Sequence, residues 1–182
     1  RPYPALVEQA LGQPVANLGG LNAGPDFYLS DPATLDIAAG ARAAVVQVTG
    51  AEALSNPFYT VHGRRNDRFL AATPALRALF PQVDFTEIHF TRHLLQVLQR
   101  RDATGFQHVV QGLKQNWLVK MRQLLAALPA RRLLLWMGDA AVPDRAEGLD
   151  PAPLFIDRAM IDALRFEVGG FELGLVPDGV PG

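Results

Sequence analysis

Residues 61 to 69 read VHGRRNDRF, and four of the seven residues from His62 to Arg68 are basic. The planar guanidinium groups of Arg64, Arg65 and Arg68 can each clamp a carboxylate, sulfate or phosphate through two parallel N–H donors. His62 beside them could give or take a proton near neutral pH. The same residues also describe a loop tied down by Asp67 and Glu52 pairing with the arginines, although surface pairs of that kind are weak. The cluster is too small to track a duplex. It also lacks the interleaved aromatic side chains on which single strands stack.

Two further sets of residues could carry chemistry. In NLGGLNAGPD, the glycines at 19, 20 and 24 would let backbone amides approach an oxyanion. They equally fit a tight strand-to-helix connection with Asp26 as its turn residue. This is neither a dinucleotide fingerprint nor a phosphate-binding loop, since no helix opens inside it and no Gly-Lys-Ser/Thr follows. No cofactor is therefore expected. His89 and His93 fall four apart on what reads as one helix face, a spacing at which two imidazoles can share a metal. Phe90 follows the first histidine where zinc proteases need Glu, and Arg92 opposes a cation. The pair is read as a solvated polar face, with no metal assigned, and His108 as an exposed residue at the start of a long helix.

The elements that must position these groups follow from periodicity and punctuation. RPYPALVEQALG has prolines at its start and Gly12 at its end, as a short helix requires. PVANL, ended by Gly19 and Gly20, reads as a buried strand over 14–18. SDPATLDIAAG is a helix with Ser30 or Asp31 as N-cap, Pro32 at its first turn and Gly40 past its end. AAVVQVTG gives a strand over 43–49. Its near-continuous apolar run predicts burial on both faces, as in parallel sheets. A helix is expected from about Thr86 to Arg101, a longer one from Phe106 to Leu128, a third strand in RRLLLWMGD, a helix in FIDRAMIDALRF and a fourth strand in FELGLV. Strand and helix alternate, which predicts a parallel sheet with helices on both faces. Ligands in such folds bind beyond the carboxyl ends of the strands. The loop from Gly50 to Asp67, NLGGLNAGPD, GDAAVPDRAEG and PDGVPG all start at that edge.

Composition narrows the classes. The 182 residues suggest one domain over 1–182, able to bury about 70% of the surface its unfolded chain exposes. No cysteine is present, which excludes disulfides and thiolate chemistry and fits a reducing, cytoplasmic setting. The 17 basic and 18 acidic residues leave a formal charge of -1, against general nucleic-acid binding. No apolar run reaches the roughly 18 residues of a membrane span. Sequence sets neither the oligomeric state nor the identity of a small-molecule or glycan ligand.

YPALVEQALGQPVANLGGLNAG, AAVVQVTGAEALSN and WLVKMRQLLAALPARRLLLWMGD together resemble the SGNH (GDSL-type) hydrolase superfamily. More narrowly, NLGGLNAGPD with NPFYTVHGRRNDRF resembles an uncharacterised bacterial family without an assigned activity. The wider resemblance implies a three-layer α/β/α domain with a mainly parallel, flavodoxin-like (SGNH-like) sheet and an added long helix pair. It also implies oxyanion donors at Gly24 or Asn22, at Gly50, and at Asn56 as the nearest asparagine to the third motif. Its Gly-Asp-Ser nucleophile would precede the first helix, and no Asp-x-x-His follows the last strand, where Asp178 is the sole acid. The expected function is an esterase or acyltransferase acting on an anionic or carbohydrate-linked ester. The alternatives are an inactive module that binds a glycan or small anion, with His62, Arg64, Arg65 and Arg68 as contacts, or a purely structural interaction domain. The chain as given is expected not to hydrolyse esters. The resemblance further places a strand ahead of Arg1, between 14–18 and 43–49, so that residues preceding Arg1 are expected. The other possibility is that those two segments pair directly, about 4.8 Å apart.

Overall fold

In the computed structural model, the structure describes residues 3–138, 140–165 and 170–175. The segment PDGVPG, and Asp178 within it, lie outside the described residues. The chain is α/β. Three parallel strands, β1 (Ala44–Gln47), β4 (Arg132–Gly138) and β5 (Gly170–Leu175), form one sheet in the order β1-β4-β5. A separate antiparallel pair joins β2 (Tyr59–His62) to β3 (Arg65–Ala72). Seven helices complete the described residues: α1 (Tyr3–Leu11), α2 (Pro25–Leu29), α3 (Pro32–Ala39), α4 (Pro74–Leu79), α5 (Thr91–Arg101), α6 (Ala103–Ala126) and α7 (Arg158–Ala163).

Local chemistry explains the helix starts. Asp31 caps α3 by accepting from the Ala33 and Thr34 amides, with Pro32 at the first helical position, as side-chain capping requires. Thr73 does the same for α4 and Asp102 for α6. Gly12 ends α1 with a φ of 58°, a left-handed conformation that costs glycine little.

The core gathers on α6. Phe106, Val109, Val110, Leu113, Trp117 and Met121 recur at helical spacing and are buried. They pack with Leu94, Leu95 and Leu98 of α5, with Leu134 and Trp136 of β4, and with Phe155 and Ile156 beyond it. Polar groups of the same helix tie down the loops around the sheet. Trp117 Nε1 donates to the Thr49 carbonyl at 2.9 Å, and Asn116 donates to the Ser55 carbonyl at 3.0 Å. Lys114 reaches Asp157 at 2.6 Å with both side chains almost fully buried, while Lys120 pairs with Asp26 at 3.0 Å.

Several expectations need correction. Residues 14–18 form no strand; the Val15 amide instead donates to the Glu8 carboxylate at 2.9 Å. NLGGLNAGPD therefore does not leave a strand end. The segment does not pair with β1 either; among the described residues β1 has its ladder with β4. β1 is not covered on both faces, since Val45 is 49% exposed. Leu6, Val7 and Leu11 of α1 are exposed, and α3 has no fully buried residue, though its Leu35 packs against the core. The expected loop from Gly50 to Asp67 contains β2 and enters β3, and α5 begins at Thr91 rather than near Thr86.

Among the described residues β1 thus lies at the edge of its sheet. The Ala44 and Val48 amides donate to the Arg131 and Leu135 carbonyls, both at 2.9 Å. Strand alternation turns the Val45 and Gln47 amides to the free edge. Hydrogen exchange should show Val45 and Gln47 exchanging at least tenfold faster than Ala44 and Val48. Equal protection at all four would mean that another strand covers this edge.

Candidate anion-binding site

The arginine cluster is a β-hairpin with an irregular ladder. Tyr59 pairs with Ala72 and Thr60 with Ala71, but Val61 pairs with Phe69 and His62 with Arg65, so the register slips twice. Bulges of this kind re-aim side chains. Along β3 they bury Asn66, Phe69 and Ala72 while leaving Arg68 and Leu70 exposed. The inner side is held by Asn66, which is fully buried. Its Oδ1 accepts from the Gly24 amide at 2.6 Å, its Nδ2 donates to the His62 carbonyl at 2.9 Å, and its backbone amide donates to the Asn22 carbonyl at 3.1 Å.

The outer side carries the cations. Arg65 forms a two-point pair with Asp67, Nε to Oδ1 and Nη2 to Oδ2, each at 3.1 Å. Partial burial works to raise the Asp67 carboxyl, yet the Arg65 hydrogen bonds and charge, with help from Asn22, hold it below the usual carboxylate range. Arg68 lies over the Phe90 ring, 4.7 Å from its centre, and leaves its guanidinium edge outward. Arg64 is exposed at the turn, where its amide donates to His62 Nδ1 at 3.2 Å. The segment before α5 runs along β3 through an Arg68–Phe90 bridge and a Phe69 amide to His89 carbonyl bond of 3.1 Å. That brings His89 to the cluster. His62, Arg65, Arg68 and His89, with Phe69 and Leu70, line an open groove of about 420 Å³.

The structure brings together three of the four proposed anion contacts, His62, Arg65 and Arg68, and places Arg64 at the rim. Glu52 does not pair with these arginines. His89 and His93 do not share a helix, since His89 precedes α5. Among the described residues no three metal-ligating side chains group together.

Among the proposed oxyanion donors, Gly24 and Asn56 are engaged within the fold. Gly24 spends its amide on Asn66, and a Cβ there would collide with the Ala53 carbonyl, so glycine is required for this close approach. Asn22 sits at a φ of 54° in the adjoining turn. Asn56 accepts from the Phe58 and Tyr59 amides and donates to the Leu54 carbonyl, all between 2.9 and 3.1 Å. Gly50 lies against the Glu52 carboxylate. Of the chain's two serines, Ser30 donates to the Phe27 carbonyl and Ser55 Oγ accepts from the Val61 amide; neither hydroxyl is bonded to a histidine.

Two residues take roles other than the ones read from sequence. His89 was assigned to a helix face shared with His93, but α5 starts two residues after it. Glu52, read as a partner for the arginines, is partly buried just past β1; its Oε2 atom is buried with no hydrogen-bond partner among the described residues. Burial pushes its carboxyl up to about 7, against the lowering effects of its own backbone amide and of Arg92. The visible signal was one acid, Glu52, among the small and apolar residues of GAEAL just past β1.

The matching family is Domain of unknown function (DUF6473), over residues 1–173. The chain belongs to this family. No curated protein and no solved structure matches it.

Two predictions follow from these contacts. Asn66→Ala removes the acceptor of the buried Gly24 amide and the donor to the His62 carbonyl. At about 1–3 kcal/mol per unsatisfied group, denaturant unfolding should show a loss of about 3 kcal/mol; a change under about 0.5 kcal/mol would show that water replaces the amide. Glu52 carries the opposite sign to a paired acid. Its folded pKa lies above its unfolded value, so its contribution is complete below about 4.5 and is lost as pH rises through about 7. Wild type should lose about 2–3 kcal/mol between pH 5 and pH 8 relative to Glu52→Gln. Parallel stability curves for the two proteins would show Glu52 ionised in the fold.

Proposed function

We infer that this chain is a binding module for a small anion, held on the outer face of the β2–β3 hairpin by His62, Arg65, Arg68 and His89. The observation that carries the reading is the convergence of these four side chains on one open groove although they come from β2, β3 and the segment before α5. Asp67 neutralises one guanidinium, so Arg68 supplies the uncompensated charge. Arg65 keeps further N–H donors beyond the two that Asp67 engages. The bulged ladder fixes both arginines on a paired strand, which limits the entropy lost when a ligand binds.

Esterase or acyltransferase action takes second place. Glu52 favours it, because a carboxyl that titrates near 7 suits acid–base work, and its position past the carboxyl end of β1 is where open α/β sheets bind ligands. Against it stand the internal commitments of Gly24, Asn56 and both serine hydroxyls. A three-layer, flavodoxin-like (SGNH-like) arrangement belongs to the same proposal. The parallel order β1-β4-β5 supports it, and the exposed Leu6, Val7 and Leu11 of α1 speak against a filled third layer.

Isothermal titration with inorganic phosphate or sulfate tests the binding reading. Replacing Arg64, Arg65 and Arg68 together by alanine should weaken binding at least tenfold, with the Arg68→Ala variant giving most of the loss. These side chains contribute little to the core, so thermal unfolding should stay near wild type. Unchanged affinity in the triple variant would refute the site.

A further inference from the structure

The basic groove does not end at Leu70. A second groove of about 230 Å³ runs on along β3 and shares Phe69, Leu70 and His89 with the first. Its far end holds Arg77, Phe85 and Thr86. Through these shared residues the two adjoin along β3, cationic at the His62–Arg68 end, with the exposed Leu70 side chain beside His89 at the junction. Leu70, at the junction, is 58% exposed, and Phe90 beside Arg68 is 42% exposed. Arg77 does not make the far end a second open anion site. Its guanidinium lies 5.4 Å from the centre of the Phe85 ring, and its Nε donates to the Ala72 carbonyl at 3.3 Å.

Bare phosphate would leave the Leu70 junction wet. We propose that the ligand is an amphipathic anion: a phosphate monoester or carboxylate whose head sits among His62, Arg65 and Arg68 and whose apolar chain lies over Leu70 toward Phe85. The proposal rests on the anion-binding reading above and adds the class of ligand. Charge complementarity fixes the direction, with the head at the uncompensated arginine and the chain away from it. The Arg68–Phe90 contact holds the guanidinium in place at the head end.

The test compares inorganic phosphate, methyl phosphate and hexyl phosphate by isothermal titration, on wild type and on Leu70→Ser. A fully buried methylene corresponds to about a fourfold gain in affinity, and a half-buried one to about twofold. Hexyl phosphate should therefore bind at least tenfold tighter than methyl phosphate. Leu70→Ser should reduce that increment severalfold, read as the ratio of hexyl to methyl phosphate affinity within each protein. Leu70 is exposed, so the variant should keep the wild-type unfolding temperature. Equal affinities for hexyl and methyl phosphate would overturn the amphipathic ligand and leave the anion site standing. No binding of any phosphate would overturn both. Vesicles of phosphatidylcholine and phosphatidylserine provide the last arm: binding to vesicles without binding to hexyl phosphate would replace the free amphipathic anion by a lipid surface.

Discussion

The buried amide of Asn66 is the contact on which the rest of the candidate site depends. An uncharged side chain with no exposed surface is tolerated in a fold when its donors and acceptor find partners. Asn66 finds them on both sides of a seam, at Gly24 on one segment and at His62 on the other. An aspartate could not donate to the His62 carbonyl, and an alanine would leave the Gly24 amide without its acceptor. The seam sets the direction of everything outside it. With Asn66 turned inward, the slipped register turns Arg68 and Leu70 outward, and the groove follows.

Behind the hairpin, α6 supplies rigidity. Its apolar stripe is the core, and the flank of that stripe carries the polar ties to Thr49, Ser55, Asp157 and Asp26. These contacts fix the loop after β1, the segment before β2, the start of α7 and α2. The Lys114–Asp157 pair is the most deeply placed of them. A buried pair gains little over a well-packed apolar substitute, but losing one partner strands the other charge. Asp157 has a second task, capping α7 through the Met160 amide. Glu52 stands in contrast: one of its carboxylate oxygens is buried without a partner, and burial raises its carboxyl.

The sequence made the helices legible and the sheets only partly so. The 3.6-residue period of α6 runs over six turns and admits one reading, and the Asp31-Pro32 start of α3 carries its own mechanism. β4 and β5 were visible as apolar runs with glycine at or near their ends. The hairpin was not, because its two register slips destroy the alternation by which strands are recognised: buried positions fall at 66, 69 and 72. The same feature made HGRRNDR read as a loop. Residues 14–18 erred the other way, since an apolar run short enough for a strand placed its first amide on the Glu8 side chain instead of a ladder. At the site, the residue types of the arginine cluster were legible, but its division into an inward clasp and an outward cationic face was not, since that depends on register. Of the oxyanion donors expected from resemblance, Gly24 and Asn56 carry contacts within the fold.

The central claim is that the outer face of this hairpin, and not the glycine-rich loops, receives the anion. Chemical-shift mapping of the labelled protein during a phosphate titration tests it most directly. The account predicts saturable shifts concentrated at His62, Arg65, Arg68 and His89, with Gly24, Gly50 and Asn56 unmoved. Shifts centred on Gly24, Gly50 and Asn56, with the hairpin silent, would contradict it.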